Sequence, residues 1–230
     1  MLQQLVYFGY FVGWLSLYIG MDTLIARTTM SNGRYFLVHA IHNAIITYST
    51  YNDIIYSYTD FNTILTSNVD YFPSIITVSL HIYHILYYYK QFVFDDWLHH
   101  SIMGIALYVV THYNTGRLIN YSLFFTTGLP GMIDYTLLYM VKNNKLDYIY
   151  EKTINNYINL WVRSPGCISH AVLTILTYNT YKETILYGNF LFFCYMFSAI
   201  ITYWNGVYFM NKVVINYNTY KHVKIIGNKI

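Results

Sequence analysis

Apolar residues fall into seven long blocks, and most of the charge sits in the short stretches between them. The blocks run near 2–20, 34–51, 71–89, 96–114, 118–141, 157–178 and 186–210. Each spans, or nearly spans, a bilayer core, which takes ~20 helical residues. The pattern therefore predicts an all-α integral membrane protein of about seven transmembrane helices. Residues 1–33 form the first helix and its loop, 34–210 the main transmembrane domain, and 211–230 a basic tail. Gly9 and Gly13 have a spacing that permits close helix packing. Pro130, in Gly128-Leu129-Pro130-Gly131, and Pro165, beside Gly166, lie inside blocks and predict bends, because proline removes a helical hydrogen bond. Pro73 opens the third block. No internal repeat is visible.

Composition agrees with the pattern. Charged residues are 10% of the chain, against roughly 25% in soluble domains. The 29 tyrosines suit a membrane–water boundary, although an AT-rich genome would enrich the same residue. A net charge of +3, with no basic arm and no basic–aromatic interleaving, points away from nucleic acid. Cys167 and Cys194 lie in apolar blocks and read as buried thiols. The N-terminus has no basic region ahead of its apolar run and no small-residue cleavage site, so the first block is expected to be retained.

The loop charges orient the chain. Arg27, Arg34, Lys90, Lys142, Lys145, Lys152, Lys212, Lys221, Lys224 and Lys229 fall on one side, and only Arg117 and Lys182 on the other. Ten cations against two place the C-terminus in the cytosol and the N-terminus outside or in a lumen. That orientation brings His39, His42, His81, His84, His99 and His100 to similar depth in the cytosolic half. Asp134, about 10 Å before the cytosolic end of its helix, joins them. A ring of helices would then gather six of the nine histidines around one cytosol-facing cavity. Arg163 enters the sixth block from the same side, where it either binds an anionic head group or phosphate or snorkels to the interface.

The densest chemistry is Phe94-Asp95-Asp96-Trp97-Leu98-His99-His100. On a helix Asp95 shares a face with His99, and Asp96 with His100. Carboxylates so placed fix imidazole tautomers and raise basicity, which makes His99, His100, Asp96 and Asp95 the catalytic candidates. The plainer alternative is that both aspartates are charges favoured at a helix N-terminus.

The stretch Ser79-Leu80-His81-Ile82-Tyr83-His84-Ile85-Leu86, followed by Lys90 and then Asp96-x-x-His99-His100, resembles the TLC-domain family. That family covers the TRAM, longevity-assurance and CLN-type membrane proteins and includes the ceramide synthases. Arg117 also falls where ceramide synthases carry an arginine. Tyr83-His84 stands where the family has Tyr-Asp, and 126–131 lacks the acidic motif of ceramide synthases. The resemblance implies a helix ring around a lipid-accessible cavity in the endoplasmic reticulum or a related endomembrane. It also implies that His99 or His100 serves as base or acyl-accepting nucleophile.

Three functions compete. The first is acyl transfer from acyl-CoA, as co-substrate, to a lipid amine or hydroxyl; it needs a base or a nucleophilic imidazole and no metal. The second is non-catalytic binding or organisation of membrane lipids, with histidines that only pack the bundle. The third is a metal-dependent lipid oxygenase, since His39-x-x-His42, His81-x-x-His84 and His99-His100 are imidazole pairs of a kind that ligate iron or zinc. Membrane lipids are the expected partners in all three.

Overall fold

A computed structural model describes residues 2–66, 69–112, 116–183 and 188–227, and every regular element among them is helical. In order these are α1 (Leu2–Ile25), α2 (Arg34–Thr59), α3 (Phe72–Tyr88), α4 (Phe94–His112), α5 (Leu118–Leu123), α6 (Leu129–Lys142), α7 (Tyr148–Ile158), α8 (Ser164–Tyr181) and α9 (Gly188–Gly227). A π-helical turn, Phe124–Gly128, joins α5 to α6, and another, Asn159–Arg163, joins α7 to α8. The described residues thus form seven continuous rods, each overlapping one apolar block. The expected span ends at 114 and 186, and Lys229 of the tail, lie outside the described residues. α9 continues through 210 and 211 without a break, so no boundary separates the last span from the tail there.

Both π-turns end just before a proline. Pro130 and Pro165 have no N–H to donate, and their rings crowd the carbonyl four residues back. The widened turn absorbs the mismatch and lets the helix continue past each proline. Shorter breaks have their own causes. Gly33, with φ 71°, starts α2 in the left-handed conformation, and a Cβ there would lie 2.9 Å from Lys142 Cβ.

Hydrogen bonds sort the loops onto two ends of the bundle. At one end Asn143 donates to Asn32 O and Tyr139 to Met30 O, joining the loop after α1 to the end of α6. Lys212 of α9 pairs with Asp95 at the start of α4 at this end. At the other end Arg117 bonds Thr63, Asn120 bonds Asp70 O, and Tyr181 bonds Asn62 O.

The interior is mixed and the exterior apolar. Buried polar residues such as Asn43, Thr50, Ser74, Thr77, Asn120, Asn155 and Thr174 are as numerous as buried apolar ones among the described residues. Large apolar side chains project outward on several rods, among them Phe8, Leu24, Trp161, Phe193 and Ile200, each more than 60% exposed. By length and hydropathy, two described helices are apolar enough to cross a membrane, Gln4–Ile25 and Phe190–His222. The other rods fall short because they are brief, as α3 is at 17 residues, or carry inward polar groups, as α2 does.

Helix packing uses bare backbone at particular points. A Cβ on Gly166 would lie 2.0 Å from the Phe125 ring, and one on Gly206 would lie 2.6 Å from Cys167 Cβ. These glycines bring α8 against the first π-turn and α9 against α8. The Gly9–Gly13 spacing is not used this way, since nothing lies within 4 Å of a Cβ at either position. Replacing Gly166 by Ala should therefore destabilise the bundle by about 1–3 kcal/mol, as overpacking does, while Gly13→Ala should be neutral. Thermal midpoints in detergent, read by fluorescence-detected size exclusion, check the pair.

Candidate functional site: a histidine cavity

Rods two to seven enclose a cavity of about 230 Å³. Its walls include His39 from α2, His81 and His84 from α3, Asp95, Asp96, His99 and His100 from α4, Asp134 from α6, and Arg163 from the second π-turn. Nine of the ten residues singled out from the sequence therefore share one cavity, and no residue of α1 is among its described lining. The tenth, His42, is fully buried elsewhere: its Nδ1 is 2.7 Å from the Tyr18 hydroxyl, so it fastens α1 to α2. Three residues along a helix is a turn of 60° short of a full circle, enough to aim His42 at α1 rather than at the cavity.

Five imidazoles converge. His39 and His84 stack with ring centroids 4.0 Å apart. His81 lies 5.4 Å from His99 and 5.0 Å from His100, and His100 lies 5.5 Å from His84. Aromatic rings frame the group: Tyr35 and Tyr135 lie 4.0 and 4.5 Å from His39, and Phe92 stacks on His100 at 4.7 Å. Tautomers are set by the helices themselves. His39 Nδ1 lies 2.6 Å from Tyr35 O and His81 Nδ1 lies 2.8 Å from Thr77 O. A carbonyl only accepts, so each Nδ1 carries the proton.

The carboxylates do not hold the histidines in the way expected. Asp96 Oδ2 accepts from the backbone N–H of Val93 at 2.9 Å, which caps its own helix. Asp95 pairs with Lys212 across to α9. Both therefore take the plainer role, because a free N–H and an ammonium are within easier reach of a short side chain in the first turn than a ring one turn above. Asp134 lines the cavity with Oδ1 buried and without a hydrogen-bond partner among the described residues.

Arg163 does not snorkel. Its Nη2 donates to Thr126 O at 2.9 Å and to Asn205 Oδ1 at 3.1 Å, and its guanidinium lies over the Phe209 ring. Nε is buried without a partner among the described residues. Asn159, Asn205, Tyr35 and Tyr135 were not anticipated as site residues. The two asparagines were detectable as amides inside apolar blocks, whereas the tyrosines were hidden among many others.

A second, mostly apolar groove adjoins the cavity between α4, α5 and α9, lined by Leu98, Ile102, Ile119, Leu123, Ile201 and Trp204. Asp95, His99, Met103, Thr126, Asn205 and Phe209 border both spaces, so the polar chamber and the apolar groove share a wall. Among the described residues no group of three or more His, Cys, Asp or Glu side chains is gathered so as to hold a metal ion.

No family model, no curated protein and no solved structure matches the chain.

Because Asp96 caps the helix and makes no hydrogen bond to His100 among the described residues, their contributions to stability should be close to independent. The effects of Asp96→Ala and His100→Ala should add to within about 0.5 kcal/mol in a double-mutant cycle. A coupling above about 1 kcal/mol, read from thermal or denaturant unfolding, would restore the carboxylate–imidazole pair.

Proposed function

We propose that this chain is a multi-pass membrane protein whose cavity transfers an acyl group from acyl-CoA to a lipid amine or hydroxyl. The observation that carries this reading is the junction of a five-imidazole chamber with an apolar groove. An acyl donor presents the same two parts, a polar reacting carbonyl and a long alkyl chain. Imidazoles supply the base or nucleophile the transfer needs, and the groove offers the chain a dry bed.

Seven spans are part of the proposal. The apolar exterior with a polar interior supports them, because helices in lipid satisfy polar side chains inward and show apolar ones outward. The loop hydrogen bonds, which gather Arg27, Arg34, Lys90, Lys142 and Lys145 toward one end and Arg117 and Lys182 toward the other, support an even alternation of direction. The cation-rich end faces the cytosol in this reading, where a water-soluble acyl-CoA meets a lipid. The TLC-type ring and an endomembrane location, in the endoplasmic reticulum or a related compartment, belong to the same proposal. They rest on Asp96-x-x-His99-His100 and on the absence of any α1 residue from the cavity's described lining.

One observation favours a second reading, non-catalytic lipid binding: Asp95 and Asp96 are engaged by Lys212 and the Val93 N–H rather than by the histidines. The two readings separate in one assay. Membranes holding the full chain are given labelled long-chain acyl-CoA and a lipid extract. Acyl transfer predicts new acyl-lipid that falls at least about tenfold in a His99→Ala, His100→Ala double variant of equal abundance. Binding alone predicts no new product, with photo-crosslinking of an alkyl-chain probe to Ile102 or Ile201 unchanged in the variant.

A further inference from the structure

The five imidazoles of the chamber are not equivalent. His39 and His84 cover each other's faces at 4.0 Å, and Tyr35 and Tyr135 close in on His39. His100 lies flat on Phe92 and has a buried Nδ1 with no partner among the described residues, so nothing fixes which of its nitrogens carries the proton. His99 has no hydrogen bond assigned to either nitrogen among the described residues and borders both the chamber and the groove. His39 shares a carbonyl-held Nδ1 and His84 a buried, unpartnered Nε2, but among the described residues His81 alone combines the two. Its Nδ1–H is held by the Thr77 carbonyl at 2.8 Å, its Nε2 is buried with no partner among the described residues, and no ring stacks on its face at less than 5.0 Å.

A cavity-lining ring anchored through Nδ1–H, with Nε2 left unpartnered, is the arrangement of a working general base. A buried nitrogen without a partner also needs an explanation, since such atoms are rare and costly. A proton taken from a substrate is one. We infer that His81, rather than the adjacent pair His99 and His100, is the general base of the chamber. The inference rests on the acyl-transfer reading and deepens it by naming the catalytic group.

The step balances with one imidazole. His81 Nε2 takes the proton from the acceptor hydroxyl or amine as its oxygen or nitrogen bonds the thioester carbonyl carbon. The C–S bond breaks, and the departing thiolate takes the proton back from Nε2. Products are the acylated lipid and free CoA thiol, and the imidazole returns to its starting state. His99 and His100, at 5.4 and 5.0 Å from His81, then line the path of the substrate.

Substitution by asparagine isolates the chemistry, because its amide keeps a donor near the Nδ1 position while removing the basic nitrogen. His81→Asn, His99→Asn and His100→Asn are compared with wild type as membrane-embedded full chains, with labelled palmitoyl-CoA and a lipid extract, and normalised to folded protein. His81→Asn should lose about 100-fold or more in rate, the usual share of a general base, and the other two distinctly less. His81→Ala, which opens a ring-sized hole, should regain part of its rate in added imidazole, an effect a purely structural role would not give. A His81→Asn rate within about threefold of wild type, or no recovery with imidazole, overturns the assignment while leaving acyl transfer standing. Wild type that consumes no palmitoyl-CoA overturns the transfer reading and the role of His81 with it.

Discussion

Pro130 sits in the middle of a continuous rod, and its missing N–H leaves Thr126 O without a donor from the next turn. Arg163 supplies one from another rod, Nη2 to Thr126 O at 2.9 Å. One vacancy in a helix thus receives a cation that would otherwise be expensive to hold inside the bundle. Asn205 of α9 takes the same nitrogen, and the Phe209 ring covers the guanidinium. Three rods are tied at one point, next to the histidines. Arg163 itself lies in the other π-turn, the one that Pro165 induces. Two prolines spaced along two rods therefore shape the same wall of the cavity.

The opposite wall depends on a register between α2 and α6. Thr127 donates to Asn43 Oδ1 at 2.8 Å, and Gly131 leaves room for the Asn43 amide, which a Cβ would meet at 2.4 Å. One turn earlier on α2 is His39, and one turn later on α6 are Asp134 and Tyr135. Once Asn43 is seated over Gly131, the 4.5 Å contact of His39 with Tyr135 follows from helix geometry. The polar contacts that set this register are buried between apolar rods. There, an interhelical hydrogen bond and a close backbone approach fix how the two helices pair.

Much of this was legible beforehand, and for a physical reason. Helical periodicity and the up-and-down order of the helices fix how far along the bundle a side chain lies, and that depth alone gathered His39, His81, His84, His99, His100, Asp134 and Arg163 onto one cavity. What depth does not encode is the direction of each side chain around its helix, which is why His42 turned to Tyr18. Nor does spacing decide between partners. An aspartate four residues before a histidine is a plausible pair on paper, yet Asp96 found the Val93 N–H and Asp95 found Lys212, over a hundred residues away. The Gly9–Gly13 spacing failed similarly, because a small-residue face needs a neighbour and α1 presents that face outward. The π-turns were visible only as prolines in apolar runs, since the extra residue that widens the turn has no signature of its own.

The division of labour that results is physically sensible. A carboxylate placed against an imidazole in a dry chamber orients it, but also brings a charge that must be desolvated. A backbone carbonyl orients the ring through the same Nδ1–H and carries no net charge. α2 and α3 use the carbonyl four residues back, Tyr35 O for His39 and Thr77 O for His81. The aspartates of α4 stay at the mouth, where water and Lys212 reach them. There they hold the helix start and join it to α9, beside the apolar groove that the two helices share. Orientation of the imidazoles is thereby separated from the charge that closes the bundle. The chamber wall keeps buried, unpartnered ring nitrogens on His81 and His84 and an unpartnered carboxylate oxygen on Asp134 among the described residues.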